Sequence, residues 1–381
     1  MDFLLIDTPE SFRRLLTRVA DDAIVALDTE AASFHRYHDR VYLVQLSTPT
    51  ITAVIDPLVV GDLGPLGALL ADPKVEKIFH DADYDLRLLD KQHGFRARHL
   101  FDTRIAAQFL DEPGIGLGAL LEKYFGVTVD KRFQRADWSA RPLSAEMLRY
   151  ASDDTRYLCE LQILLLNQLI AIGRDSWVAE EFELLENTRW TAGALDEQTS
   201  YLALKGVRAL ERRALAVLRE IYFWRETTAG LVDRASFRVM GNETLLLLAA
   251  RPVSEEADLA RVRGVGREVV SRWGREILAA IARGLAVPDS QLPRIERSAR
   301  RIVDVELMAR VERLKGARNA AADRLKLAPG VLCPNGTLEA IAKAGPHSRE
   351  ELERVAGVRR WQAGAIGPEI LAALGDPPRL A

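Results

Sequence analysis

The chain has 381 residues, 48% of them hydrophobic and 28% charged, with a formal net charge of −3. That length exceeds one typical core and predicts two or three domains. No segment reaches the roughly 18 to 20 apolar residues of a membrane span, and no basic start precedes the first apolar run, so a soluble, cytoplasmic protein without membrane contact is expected.

Two cysteines, Cys159 and Cys333, form no Cys-x-x-Cys pair and fit a reducing compartment rather than a disulfide framework. The net charge hides an asymmetry. Residues 1–199 carry 21 Lys/Arg against 33 Asp/Glu, and residues 200–381 carry 31 against 22. An acidic half joined to a basic half suggests a metal-using module beside a polyanion-binding one, although two solvated surfaces of opposite sign give the same count.

Asp2-Phe3-Leu4-Leu5-Ile6 reads as a first strand, and Thr8-Pro9-Glu10 opens a helix with Thr8 as N-cap and Pro9 at its first position. Ala23-Ile24-Val25-Ala26-Leu27-Asp28-Thr29-Glu30 is a buried strand ending in two carboxylates. Alternation puts Asp28 and Glu30 on one face and Thr29 on the other. Neighbouring acids resist ionising together, and a hard cation removes that penalty. A lone Asp-x-Glu, however, is equally the start of a solvated loop.

Strands at Val41–Ser47 and 52–56 follow so closely that an antiparallel meander is expected. His35-x-x-His38, between the second strand and the third, lacks a second ligand pair and reads as loop histidines rather than a zinc site. A helix over 63–70 and a strand over 77–80 come next, and after residue 83 the pattern turns helical. Asp81, Asp83 and Asp85 follow that strand at a helix start. Asp81 and Asp83 fit capping, while Asp85 can project back towards the strand ends.

A long helix is expected from about Ser144 to Ile170. Tyr150 and Asp154 are four apart and share one of its faces, which fits either a phenol and a carboxylate aimed into one cavity or a core tyrosine beside solvated acids.

Taken together, Leu27-Asp28-Thr29-Glu30, His80-x4-Asp85-Leu86 and Tyr150-Ala151-x-x-Asp154 resemble the DEDDy family of 3′→5′ exonucleases, and within it ribonuclease D. Phe101-Asp102-Thr103 and the run Asp130-Lys131…Asp137-Trp138-x-x-Arg141-Pro142-Leu143 resemble it too. The resemblance implies an α/β, ribonuclease H-like exonuclease domain over residues 1–200, with a mixed five-stranded sheet and flanking helices. It makes Asp28, Glu30, Asp85 and Asp154 the ligands of two Mg²⁺ or Mn²⁺ ions, Asp28 bridging them, with Tyr150 orienting the attacking water. Asp153 is one residue off the motif and is not carried over, and Asp102 is taken as structural. Two such ions, about 3.5–4 Å apart, suit in-line hydrolysis of a phosphodiester. The implied substrates are tRNA precursors with 3′ trailing nucleotides, and the products nucleoside 5′-monophosphates. A DNA 3′→5′ exonuclease of the same fold and a nucleic-acid-binding adaptor without catalysis are the rivals.

The basic half contains a repeat at a constant offset of 93 residues. Thr244-Leu245 matches Thr337-Leu338, Val262-x-Gly264-Val265 matches Val355-x-Gly357-Val358, and Glu276-Ile277-Leu278-Ala279 matches Glu369-Ile370-Leu371-Ala372. Each copy resembles the small all-α HRDC module, one over 203–287 and a second over 300–378, with a Pro-bearing linker at 287–293. Arg261, Arg263, Arg267, Arg272 and Arg275 surround the first Gly264-Val265-Gly266 turn and are candidate phosphate contacts, or else a solvated face with internal ion pairs. The expected state is a monomer. A chain lacking 200–381 is expected to cleave short RNA still and to bind long structured RNA more weakly.

Overall fold

The computed structural model describes residues 3–191, 197–295 and 304–375. Asp2 of the expected first strand, and the expected second-module edges 300–303 and 376–378, lie outside these residues.

Short apolar runs form one mixed sheet from β1 (Leu4–Ile6), β2 (Ile24–Ala31), β3 (Val41–Ser47), β4 (Thr52–Ile55), β5 (Glu76–Phe79) and β6 (Leu100–Asp102). Its order is β1-β4-β3-β2-β5-β6, so the strand that carries Asp28 and Glu30 lies inside the sheet. β2, β3 and β4 form the antiparallel meander, while β1 runs parallel to β4, and β5 and β6 continue parallel from β2. The sheet therefore has six strands where five are expected from the resemblance. Leu100-Phe101-Asp102 is too short to display an alternating pattern, yet all three residues are buried beside β5.

Local chemistry sets the helix starts. Thr8 caps Pro9–Arg18 in a capping box with Ser11, and Ser144 caps Ala145–Arg156 through the Met147 N–H. The expected single helix over 144–170 is two, Ala145–Arg156 and Leu158–Ala171, parted at Tyr157. The first lies across β2, β3 and β4 with polar groups turned to the strand ends; the second is mostly apolar and packs on β2 and β5. The break thus falls where the contacts pass from β3 and β4 to β5.

The basic half folds into two helical modules. Helices Arg212–Leu231, Ser236–Val239, Asn242–Ala250, Glu256–Leu259 and Arg267–Ala286 make the first. Helices Val305–Leu325, Pro329–Leu332, Asn335–Ala344, Arg349–Glu353 and Arg360–Leu374 make the second, and each begins 93 residues after its counterpart. The repeat is thus structural throughout.

The modules differ in where they sit. The first has its own hydrophobic core. The second shares one continuous core with the sheet domain: Trp361 stacks on Trp177 at 5.1 Å and meets Phe109 edge-on at 5.1 Å, and Arg174 donates to the carbonyl of Leu325. Cys159 and Cys333 are buried and form no disulfide. No helix among the described residues is long and apolar enough to cross a membrane.

Candidate active site

β2 delivers Asp28 and Glu30 to one face of the sheet, and the register of β2 on β3 shifts directly after Glu30. Such a bulge bends the strand and re-aims its last side chains. Helix Ala145–Arg156 crosses that face, and a hydrogen bond of 2.8 Å between the hydroxyls of Thr155 and Ser47 fixes its depth. Asp154 is thereby brought to the strand end, where Asp28, Glu30 and Asp154 each offer a carboxylate oxygen within 4.8 Å of the other two.

Asp85 arrives from the first turn of helix Asp83–His93 and is 6% exposed. Thr29 holds it, donating both its backbone N–H (3.1 Å) and its hydroxyl to the same carboxylate oxygen. Alternation had set Thr29 on the face away from Asp28; that is the face from which the fourth acid is positioned. Sequence reading names the acids but not this threonine, whose role depends on a helix 56 residues further on.

The expected capping by Asp81 or Asp83 is not what forms. Ala82 is the N-cap and has no side-chain hydrogen bond, Asp81 pairs with Arg104 at 2.9 Å and Asp83 with Arg87 at 2.8 Å. Asp102, at the end of β6, instead accepts the N–H groups of Asp81 and Ala82 and of Arg104 and Ile105. One buried carboxylate thus ties two helix starts together, a structural role as expected.

The electrostatics follow from crowding. Burial first, then the charges of Asp85, Asp154 and Glu30, hold the Asp28 carboxyl well above the usual carboxylate range. Glu30 is raised by burial, Asp154 and Asp85; Asp154 by burial, Asp153 and Asp85; and Asp85 chiefly by burial. Asp153 turns towards Arg156 at 3.6 Å. The Tyr150 phenol is pushed far up by burial and by Asp154, Glu30 and Asp28. The Tyr150 ring packs against Phe133 and Trp138, with centroids at 5.9 and 6.0 Å, as a core tyrosine would, but Asp154 on the same face is not solvated: it is half-buried and meets Asp28 and Glu30.

The stretch 130–143 walls the site. Trp138 is 1% exposed, and Arg141 forks onto Asp56 at 2.6 and 3.0 Å while donating to the carbonyl of Tyr42. A cleft of about 500 Å³ opens beside the acids, lined by Asp28, Glu30, Phe34, Tyr84, Asp85 and Arg135 among others. Clefts of about 620 Å³ between helix Asp175–Leu185 and the second module, and of about 660 Å³ on that module, are larger but hold no such convergence of acids.

The remaining candidates are placed elsewhere. His35 sits 2.9 Å from the carbonyl of Arg135 and 3.8 Å from Asp137, and His38 packs on Tyr37 at 5.3 Å. They form no ligand cluster; among the described residues Asp28, Glu30 and Asp154 are the only such group. Arg261, Arg263, Arg267, Arg272 and Arg275 are all exposed on the first module. Arg261 pairs with Asp258 at 3.0 Å and Arg272 lies over Trp273 at 4.7 Å.

Comparison with known proteins matches residues 3–170 to a 3′-5′ exonuclease family and residues 214–281 and 308–374 to the HRDC domain. The ribonuclease D of Gluconacetobacter diazotrophicus is 36% identical over 78% of this chain and 75% of its own. That of Granulibacter bethesdensis is 33% identical over 97% and 91%. Among solved structures, the catalytic core of RRP6 from Trypanosoma brucei is 28% identical with a TM-score of 0.68, covering 74% of this chain and 79% of that one. Escherichia coli RNase D, an exoribonuclease involved in structured RNA processing, superposes over 98% and 99% with a TM-score of 0.71 at 24% identity, a likeness of fold.

Proposed function

The chain belongs to the ribonuclease D family of 3′→5′ exoribonucleases, and we propose that it removes 3′ trailing nucleotides from tRNA precursors and other small RNAs by metal-dependent hydrolysis, releasing nucleoside 5′-monophosphates. The observation that carries the site assignment is the meeting of Asp28, Glu30 and Asp154 within 4.8 Å, with Asp85 locked beside them and Tyr150 in the same electrostatic field.

An all-carboxylate donor set, half-buried and mutually repelling, fits hard divalent cations such as Mg²⁺ or Mn²⁺. Asp28, Glu30, Asp85 and Asp154 would hold them. When bound, two such ions supply charge stabilisation to the attacking and leaving oxygens of a phosphodiester. Thr29 occupies one Asp85 oxygen, and neither of its hydrogen bonds engages the other. Tyr150, a phenol raised by burial and by the nearby acids from a free value of about 10, is a poor base at neutral pH and orients water by hydrogen bonding. Gln134 and Arg135 line the approach, where a cationic side chain offsets backbone phosphate charge.

The two HRDC modules, proposed over 203–287 and 300–378, extend the RNA-binding surface, with the five arginines around Gly264 as phosphate contacts that do not read sequence. The enzyme is proposed to act as a cytoplasmic monomer. A digest of RNA labelled at the 3′ or the 5′ end, with Mg²⁺, Mn²⁺ or EDTA, tests the reading: stepwise shortening from the 3′ end that stops with EDTA is expected, and internal cuts or EDTA-resistant activity would overturn it. A parallel digest of DNA separates the other exonuclease of this fold, since a 2′-hydroxyl contact favours RNA.

A further inference from the structure

We propose that Phe237 and Arg238, carried by the first helical module, complete with Phe34 and Arg135 a stacking site at the mouth of the exonuclease cleft, which grips single-stranded RNA just upstream of its 3′ end. The proposal rests on the exoribonuclease reading above and adds a binding element supplied by a different domain.

Phe34 and Arg135 line the same cleft as Asp28, Glu30 and Asp85. The loop bearing Phe34 is fastened on both sides. On one, His35 approaches the carbonyl of Arg135 and Arg36 donates to Ser139 at 2.6 Å. On the other, the first module grips it: Ala235 N–H donates to the carbonyl of His35 (3.1 Å), His38 N–H to the Asp233 carboxylate (3.0 Å), and the Arg238 guanidinium to the carbonyl of Phe34. Helix Ser236–Val239 therefore faces the cleft mouth, and Phe237 meets Phe34 edge-on, centroids 6.2 Å apart at 77°.

Two features separate this contact from ordinary interdomain packing. Phe34 and Phe237 stay 44% and 54% exposed, although each is a large apolar ring. Guanidinium groups stand over both rings, Arg135 at 5.0 Å from Phe34 and Arg238 at 5.9 Å from Phe237, and neither arginine has a carboxylate partner among the described residues. Half-exposed rings interleaved with unneutralised guanidinium groups suit an unpaired strand, whose bases offer flat faces and whose phosphates offer charge.

The internal repeat supplies an independent control. At the positions equivalent to Phe237 and Arg238 the second module has Gly330 and Val331, yet its five helices begin at equivalent places. The framework does not require the ring or the charge; both occur in the copy that faces the cleft.

The test uses the full chain with Phe237→Ala, Phe237→Leu and Phe237→Tyr, assayed on a 12-nucleotide oligoadenylate and on diadenylate, with 2-aminopurine near the 3′ end of the longer strand as a stacking reporter. The Ala and Leu variants are expected to raise KM for the 12-mer by roughly five- to a hundred-fold, more than for diadenylate, and to lose the quenching of 2-aminopurine. Phe237→Tyr, which keeps a ring, is expected to restore both. A Leu variant matching the parent would mean that the side chain only packs, and equal KM rises on both substrates would mean that the module has merely shifted; either overturns the proposal. A parent protein that does not shorten RNA from its 3′ end refutes the exoribonuclease reading itself, a result distinct from a parent that cleaves alongside variants identical to it.

Discussion

Asp28 is poised between two demands that a single substitution separates. Its carboxyl, like that of Glu30, is held above the usual range by burial and by neighbouring acids. A raised folded-state value means that the stabilising contribution is present at low pH and is lost as pH rises through that elevated value. With Asp85 raised to about 7 and Asp154 to about 8 by the same burial, the metal-free protein is expected to be less stable above pH 8 than at pH 5, and added Mg²⁺ or Mn²⁺ should restore the difference. Asp28→Asn should raise the melting temperature of the metal-free protein, abolish the metal-induced shift seen by scanning calorimetry, and lower kcat by about 10³-fold or more. Tyr150→Phe should cost less, about 10- to 100-fold, because it removes orientation of a water and not charge. His80 behaves with the opposite sign. Burial, with Arg104 nearby, lowers its imidazole to about 4, and it lies 2.9 Å from the Thr103 hydroxyl. The unfolded chain then binds the extra proton between pH 4 and 6.5, so acidification through that window destabilises the fold, by up to about 3 kcal/mol. In His80→Asn this part of the acid sensitivity should vanish, as urea titrations of both proteins at pH 7 and pH 5 would report.

At the scale of elements, the two helical modules repeat a buried arginine that sequence reading passed over. Arg225 donates to the carbonyl of Met240 and the side chain of Asn242; Arg318 does the same to Cys333 and Asn335, each 93 residues on. At 4% and 7% exposure these guanidinium groups close the short helix of each module. Arg225→Met, which also removes the ion pair with Glu226 at 2.7 Å and leaves that carboxylate only the Ser236 hydroxyl, should cost about 3 kcal/mol in chemical denaturation. The turn glycines differ in tolerance. Gly264 has φ +87° and a Cβ there would meet the Thr244 hydroxyl at 2.1 Å, against 3.0 Å from Gly357 to Thr337. Gly264→Ala should therefore destabilise by about 3 kcal/mol and Gly357→Ala by roughly half that, in the same measurement. Both glycines were legible as a repeated motif because turn residues are fixed by backbone conformation, which is local. The same holds for Thr8, Ser144 and the meander. What depended on distant partners was not legible: β6, paired only through β5; the break at Tyr157, where the contacts pass from β3 and β4 to β5; Asp102 accepting the N–H groups of Asp81 and Ala82 ahead of the helix Asp83–His93; and Thr29 fixing Asp85.

Across the whole molecule, the acidic and basic halves are not two beads on a string. The first module touches the exonuclease domain at the loop after β2, and the second shares its core through Trp361, Trp177 and Phe109. A chain ending near residue 200 would lay bare the aromatic surface that Trp361 covers. The expected activity of such a fragment on short RNA should thus come with a melting temperature several degrees lower, since burying one large aromatic ring contributes about 3 kcal/mol. Its weaker binding to long RNA should show a shallower salt dependence, because arginines are lost with the modules.

The covering of that aromatic surface by the second module has a mechanical consequence. The chain leaves the exonuclease domain, forms the first module, and returns to the same domain with the second, so its path closes on itself through a noncovalent seam. Cutting a protease site engineered into the linker at 287–293 would then sever the backbone without parting the halves: gel filtration should return one particle, and only denaturant should yield two bands. The tail end serves as a clasp.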